Sequence, residues 1–531
     1  MIFFLLASCT QQANAQNRLR RLLPPNTVMY YEVDNPAVML ASASAMMQTL
    51  GLSMFLDGMS LQDIISIQLS QQGLQWDDLN WDEPWGVAVF NTQKPDPDVA
   101  IFLPEPRNPQ AVNRFFSQSG QSFESFTRSD YLIISNTQWR GSSERFINAR
   151  SSLRTNDRQS LFIDLPALLE NDSAMMNQLS EAESQIMLDF LDGMGMMNVS
   201  LSLENGDLLI QYGMEFTPGS NLDRLYSAII PQGRISDYAQ LLPAEALFSF
   251  ITTGKLSNRD AAWVKEYYLE MLQLADFFPS QFISFIERLM DAGIASENTA
   301  ALASIDLNIP DVNNPQTITI PSLFIFDYEN ESAMNESLRL LSELPNQIEE
   351  LGDLFRILYA TNRSTQGVQH DQLSLEFTTE DWAAKTGSPL SPEDRIIVSE
   401  LIEPALNFAL IQNRGRTFAG NDHLGIQALE SASRGRLATS LADTAAFQSL
   451  DLDRHTSVYA NLSLKRLSVI IDNIIQGQGQ MVLRGNVSGL HIFGGFHDHR
   501  MNTSILLPRA DAQAITQKVI SYMFMGNSMG R

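Results

Sequence analysis

A chain of 531 residues with 44% apolar content has material for roughly two to four packed domains and is no disordered polymer. Its 35 basic residues stand against 61 acidic ones, a net charge of −26. That balance argues against nucleic acid, whose phosphates demand clustered Lys and Arg, and against general adsorption to anionic lipid heads. The single cysteine, Cys9, excludes an intrachain disulfide and a thiolate metal cluster.

The chain opens MIFFLLASCTQQANAQNRLRR. An apolar run from Ile2 to Ala7 leading into small residues is the end of an export signal. Two processing sites compete within it. Leu6-Ala7-Ser8-Cys9 looks like the lipobox of bacterial lipoproteins, in which the cysteine becomes the lipidated first residue. Ala13-Asn14-Ala15 is instead an A-x-A site, with cleavage before Gln16. The run is short and no Lys or Arg precedes it, which points to a start upstream of Met1. No later segment holds the ~18 unbroken apolar residues of a spanning helix. The expectation is an exported chain, soluble or tethered by lipid, with residues 1–17 as signal and lipobox region.

The elements that follow come in two ordered series. A Pro-marked turn feeds a strand in LLPPNTVMYYEV (22–33) and again in LLPAEALFSFIT (241–252). Ser60 and Gly73 bracket a helix, as do Ser280 and Gly293, serine capping the first turn and glycine the last. A strand then a helix is read at 99–116 and at 323–341. YLIISN (131–136) is set against HLGIQA (423–428), and SLFIDLPALL (160–169) against SVYANLSLKRL (457–467). Ser180 and Glu183 form a capping box for a helix whose apolar face is Ile186, Met187, Phe190 and Leu191, ended by Gly193. Both series close with a hairpin and a helix, at 198–218 and 486–508 onward. Extra sequence around 342–410 includes a helical SPEDRIIVSELIEPALNFAL. The fold class is α+β: two similar, mostly antiparallel sheet-plus-helix units from internal duplication, at 18–235 and 236–531.

Chemistry is sparse. The densest stretch, LQWDDLNWDEPWGVAVF (74–90), places Trp76, Trp81 and Trp85 among Asp77, Asp78, Asp82 and Glu83. Paired acids and aromatics suit a glycosidase in composition only. The bland reading has Trp81 and Trp85 capping an edge of the core with the acids in water; the sharper one is a binding loop. Gly526-Asn527-Ser528-Met529-Gly530 fits G-x-S-x-G, but Arg531 alone follows it, so the Asp and His of a triad cannot. His497 and His499 lie two apart, a spacing that shares one face of a strand, and His491 is near; three imidazoles are weak metal candidates. Asp451, Asp453 and His455 form a milder cluster before a strand, without EF-hand spacing. No phosphate-cradling glycine motif occurs, and no cofactor is implied. Asn198, Asn461 and Asn486 sit in N-x-[ST] triplets, which would mark surfaces only in a eukaryotic secreted chain.

Leu23-Pro24-Pro25-Asn26-Thr27 with Tyr31-Glu32-Val33, then Gly73-Leu74 and Trp85-Gly86-Val87-Ala88-Val89, resembles a family of exported bacterial proteins of unknown function with one or two such units. The second series departs from it: Ala244-Glu245-Ala246 replaces Pro-Asn-Thr and its Trp-Gly is missing. The resemblance implies an envelope location and supplies no catalytic residues. Thr10 and Gln11 after the cysteine would, by the same resemblance, suit a Gram-negative outer membrane. The expected function is non-enzymatic: binding an unknown protein or an apolar ligand in the periplasm or at the outer membrane, with membrane contact through a lipid on Cys9 only. The alternatives are an envelope hydrolase or metal-dependent enzyme using the His491–His499 strand, and a structural assembly subunit.

Overall fold

A computed structural model of the protein describes residues 18–529, excluding 54–57, 95, 119–122, 148, 150–154, 156, 171–187, 204–205, 231–233, 258, 275–279, 292–298, 308–319, 329–330, 348–354, 366, 378–404, 451, 475–481 and 484–486. The fold class is α+β, with antiparallel strands throughout the paired ladders described below. By contact the chain divides into a first unit, Met1–Leu179, Met187–Asp223 and Asp498–Arg531, and a second, Ser180–Ile186 and Arg224–His497. The last strand and helix thus group with the first unit, although the sequence reading placed them with the second.

The first unit is built on β1 (Thr27–Val33), β2 (Trp85–Phe90), β3 (Asp98–Pro104), β4 (Glu124–Arg128), β5 (Tyr131–Ser135), β6 (Gln159–Asp164), β7 (Met194–Ser202) and β8 (Leu208–Phe216). Pairing runs β4-β5-β3-β2-β1-β6-β7-β8, and β8 then pairs with the strand Arg500–Leu507. Strand alternation sends Tyr30, Phe90, Phe102 and Phe162 into one buried cluster. Between β1 and β2 come α1 (Pro36–Thr49) and α2 (Leu61–Gln71). Asn35 accepts from the Val38 N–H at 3.0 Å and Pro36 fixes the first helical φ. Ser60 and Asp63 complete a reciprocal capping box on α2, and Gly73 follows its end at φ +80°. The β4–β5 hairpin turns on Ser129 and Asp130, both at positive φ, the twist a two-residue turn needs.

The second unit contains β9 (Ile229–Ile230), β10 (Phe248–Thr252), β11 (Lys255–Leu256), β12 (Ala300–Ser304), β13 (Ser322–Asp327), β14 (Phe355–Thr365), β15 (Val368–Phe377), β16 (Ala405–Asn413), β17 (Arg416–Asn421), β18 (Val458–Leu462) and β19 (Leu490–His497). Its sheet runs β14-β15-β16-β17-β13-β12-β10-β18-β19, and β9 pairs separately with β11. The order β16-β17-β13-β12-β10-β18-β19 repeats β4-β5-β3-β2-β1-β6-β7 strand for strand. The β16–β17 hairpin again turns on two positive-φ residues, Arg414 and Gly415. β14 and β15 have no counterpart in that order, and they fall inside the extra sequence at 342–410. Ile251, Ala303, Leu323, Ile325, Phe418 and Tyr459 anchor the core of this unit.

Several sequence expectations are corrected. Residues 423–428, set against the strand YLIISN, lie in a helix, Asp422–Ser433; the strand in that place is β17. Residues 405–410, read as helical, are the start of β16, and 391–404 lie outside the described residues. Gly193 does not cap the helix before β7: residues 188–193 are helical and the strand begins at once. Gly193 serves by size, since a Cβ there would come within 2.9 Å of the Leu222 side chain. Ser180, Glu183, Ile186 and Met187 lie outside the described residues, as do Cys9, Asp451, Gly293 and Asn486.

Candidate functional site

The second unit contains an apolar cavity of about 780 Å³, within the range of small-molecule sites. Five short elements build it. The helix α3 (Asn221–Ala228) contributes Leu225 from its last turn, and β9 contributes Ile229. β11 adds Leu256, held in register by the pairing Leu256↔Ile229. Ser257 then caps α4 (Ala261–Leu274), accepting from the Asp260 N–H at 3.2 Å, while its carbonyl accepts from the Ala261 N–H at 2.9 Å. α4 lines the cavity with Val264 and Leu269, and α5 (Ser280–Asp291) with Met290. The wall is therefore aliphatic and thioether, surfaces that accept an apolar chain without demanding a fixed geometry.

The mouth is charged. Lys265 on α4 donates to Asp291 at 2.6 Å and lies 3.3 Å from Glu287, so it ties α4 to α5. The hydrogen bond to Asp291 is the main cause that raises the Lys265 pKa, so it is an ammonium at neutral pH. Glu266 and Tyr268 share the lining, and Tyr268 is 43% exposed. An aromatic row flanks this region: Trp263 stacks on Tyr267 at 5.3 Å, and the Arg224 guanidinium lies 4.1 Å above the Trp263 ring.

The tryptophans of the first unit form a stack. Trp76 lies flat on Trp81 with centroids 3.9 Å apart, and Trp81 meets Trp85 at 4.4 Å. Two of the indole N–H groups are satisfied within the loop: Trp81 donates to the Trp76 carbonyl at 2.9 Å and Trp85 to the Asn80 carbonyl at 2.7 Å. Trp81 and Trp85 pack against Leu74, Leu79 and Leu103, while Asp77, Asp82 and Glu83 face water. Asp78, half-buried, accepts from the Gln75 N–H at 2.8 Å and so caps the local turn. All three indoles are half-buried, and each is covered by another ring or by the core.

The histidines do not act together. His491 is buried, its Nδ1 3.1 Å from the Tyr459 hydroxyl and 3.2 Å from the Asn461 amide. His497 stacks on His455 at 3.8 Å. His499 donates from Nδ1 to Asp223 at 2.6 Å. The expected shared strand face fails because β19 ends at His497. Asp498 and His499 take positive φ in a turn, where alternation no longer holds. Among the described residues no group of three or more His, Cys, Asp or Glu gathers as a metal site. Ser528 falls inside the helix Arg509–Met529, not on a strand-to-helix elbow. Asn198 and Asn461 are buried, so neither presents an acceptor amide to a glycan.

One constellation went unread in the sequence. Glu32, 1% exposed, receives Arg20 at both oxygens and Arg158 at 3.2 Å; Arg158 also reaches Asp34 at 2.9 Å. Arg20 further donates to the Ala149 carbonyl and lies 4.6 Å over the Phe162 ring. Desolvation is the largest influence on Asp34 and lifts its pKa to about 6, against the opposing pull of Arg158. The signal for this cluster was present: Glu32 shares strand parity with buried Tyr30, and an acid on that face needs cationic partners.

No protein-family model matches the chain, and no curated protein or solved structure does.

Proposed function

We propose that the protein is a non-enzymatic binding protein of the bacterial envelope that carries an apolar or amphiphilic small molecule in the second-unit cavity. The observation that carries this reading is the roughly 780 Å³ space walled by Leu225, Leu256, Val264, Leu269 and Met290. Desolvating an alkyl chain there gains about 0.8 kcal/mol per buried CH₂. The leader pattern around Cys9 and Ala15 supports export, with a lipid on Cys9 as the anchor to a Gram-negative outer membrane. Among the described residues no helix is long and apolar enough to cross a membrane. The shared strand order of the two sheets supports an origin by internal duplication, the hairpin β14–β15 being added later in the second copy.

The test is titration of the purified chain with the neutral dye Nile red, alongside Leu269→Trp and Met290→Trp, which fill the cavity. Saturable binding to the unsubstituted chain that both variants lose is the expected result. Absence of saturable binding, or binding indifferent to both substitutions, overturns the reading.

A further inference from the structure

The mouth of the cavity sorts ligands by charge. Three carboxylates, Glu266, Glu287 and Asp291, line the cavity with one ammonium, Lys265, a net charge of −2 among its charged lining residues. Two of those carboxylates already face Lys265, so the ammonium is outweighed by the negative charge around it and attracts an anionic head less than an unpaired cation would. Nearby charges of one sign in a low-dielectric rim cost an incoming like charge, and the chain's −26 adds a long-range term of the same sign. The exposed Tyr268, which also lines the cavity, offers a ring face, and such a face attracts a cation.

We propose that the occupant is a cationic amphiphile: one apolar chain lies along Leu225, Leu256 and Met290, and its positively charged head sits among Glu266, Glu287, Asp291 and the Tyr268 ring. This rests on the cavity being the binding site. Fatty acids and other anionic amphiphiles are the ligands it turns away, and neutral chains rank between the two. The head adds electrostatic gain to a burial term the three classes share, so discrimination is salt-dependent while chain burial is not.

Three probes with one chain length separate these statements: dodecyltrimethylammonium, dodecanol and dodecanoate, each below its aggregation threshold, measured by displacement of Nile red from the full chain. The expected order is cation, neutral, anion, with the cation about tenfold or more tighter than the anion at low salt and the gap narrowing by 0.5 M NaCl. In Glu287→Gln/Asp291→Asn, Lys265 loses both partners and the order of cation and anion reverses. Dodecanoate binding the unsubstituted chain as tightly as the cation overturns the inference and leaves the cavity reading standing. Failure of all three probes to displace the dye overturns both. Cation binding that persists in Leu269→Trp also overturns the inference, since the acidic surface would then account for it.

Discussion

Glu32 shows how a single residue departs from what its strand requires. The aligned Leu-Leu-Pro motifs match Glu32 to Ile251, which is fully buried in the apolar core of the second unit. At the matched place the second unit thus packs an isoleucine in its apolar core, where the first unit holds an ionic cluster. Removing one member of a buried ionic set leaves an uncompensated charge, so Glu32→Gln is expected to lower stability by about 3–5 kcal/mol in denaturant melts. The quadruple replacement Arg20→Met/Glu32→Ile/Asp34→Asn/Arg158→Leu, which also discharges the carboxylate that Arg158 holds, is expected to stay within about 2 kcal/mol of the parent, because uncharged substitutes of similar volume replace such sets at little cost. A quadruple variant as damaged as Glu32→Gln would mean the charges themselves stabilise the unit. Asp34 adds a pH signature. Its folded pKa near 6 lies above the unfolded value of 3.8, so between those limits the native state holds a proton the unfolded chain has released. Stability contributed by Asp34 is thus present below about pH 4 and lost as pH rises through 6, a change of about 3 kcal/mol. Relative to the parent, Asp34→Asn should gain stability across that window, and a flat difference from pH 4 to 7 would show that Asp34 does not titrate there. Sequence alone placed Glu32 on a strand, but its partners Arg20 and Arg158 come from other segments, and no local pattern joins them.

At the scale of elements, caps were legible and periodicity was not always so. Ser60 and Gly73 announced their helix because serine can satisfy a free N–H of the first turn and glycine can take the left-handed stop. HLGIQA was misread because a short apolar segment serves helix and strand alike, and its helix lacks a side-chain cap at Asn421. Asn421 is engaged elsewhere, accepting from the Ser322 N–H at 2.6 Å and donating to the Ile320 carbonyl at 3.1 Å. What fixes that helix on the sheet is glycine. A Cβ at Gly425 would stand 2.6 Å from the Ser322 carbonyl oxygen, and one at Gly420 would stand 2.5 Å from the Gly425 carbonyl oxygen. Both obstacles are backbone, so the helix itself must move. Gly425→Ala gains about 1 kcal/mol of helix propensity and loses about 1–3 kcal/mol to overpacking. The expected outcome in thermal melts is net destabilisation. A variant more stable than the parent would mean that helix and sheet are farther apart than this contact requires. The apolar cavity was illegible for a related reason: Leu225, Leu256, Leu269 and Met290 sit on four separate elements, which contacts such as the pairing of β9 with β11 and the Lys265 bridge bring together.

For the whole molecule, the α+β class was readable because each unit carries its own turn and cap signals in sequence. The β14–β15 hairpin was readable only as surplus length. Charge was readable outright and has a consequence of its own. A net −26 opposes compaction, since every fold brings the 61 acids closer than the unfolded chain does. The ion pairs that could offset it are mostly exposed, such as Arg339 with Glu336 and Arg434 with Glu430, and exposed pairs contribute about 0–1 kcal/mol each. Raising NaCl from 10 to 150 mM shortens the screening length from about 30 to about 8 Å, which weakens long-range repulsion more than contact pairs. The melting temperature should therefore rise, by about 2 °C or more, given that roughly 1 kcal/mol shifts a domain of this size by a few degrees. Most of that rise should come below 100 mM, where screening changes fastest. A melting temperature that falls over the same range would mean that local pairs, not net repulsion, dominate the surface electrostatics. The acidic mouth of the cavity would then lose the long-range part of its preference for a cation and keep only the contact part, so the two measurements constrain each other.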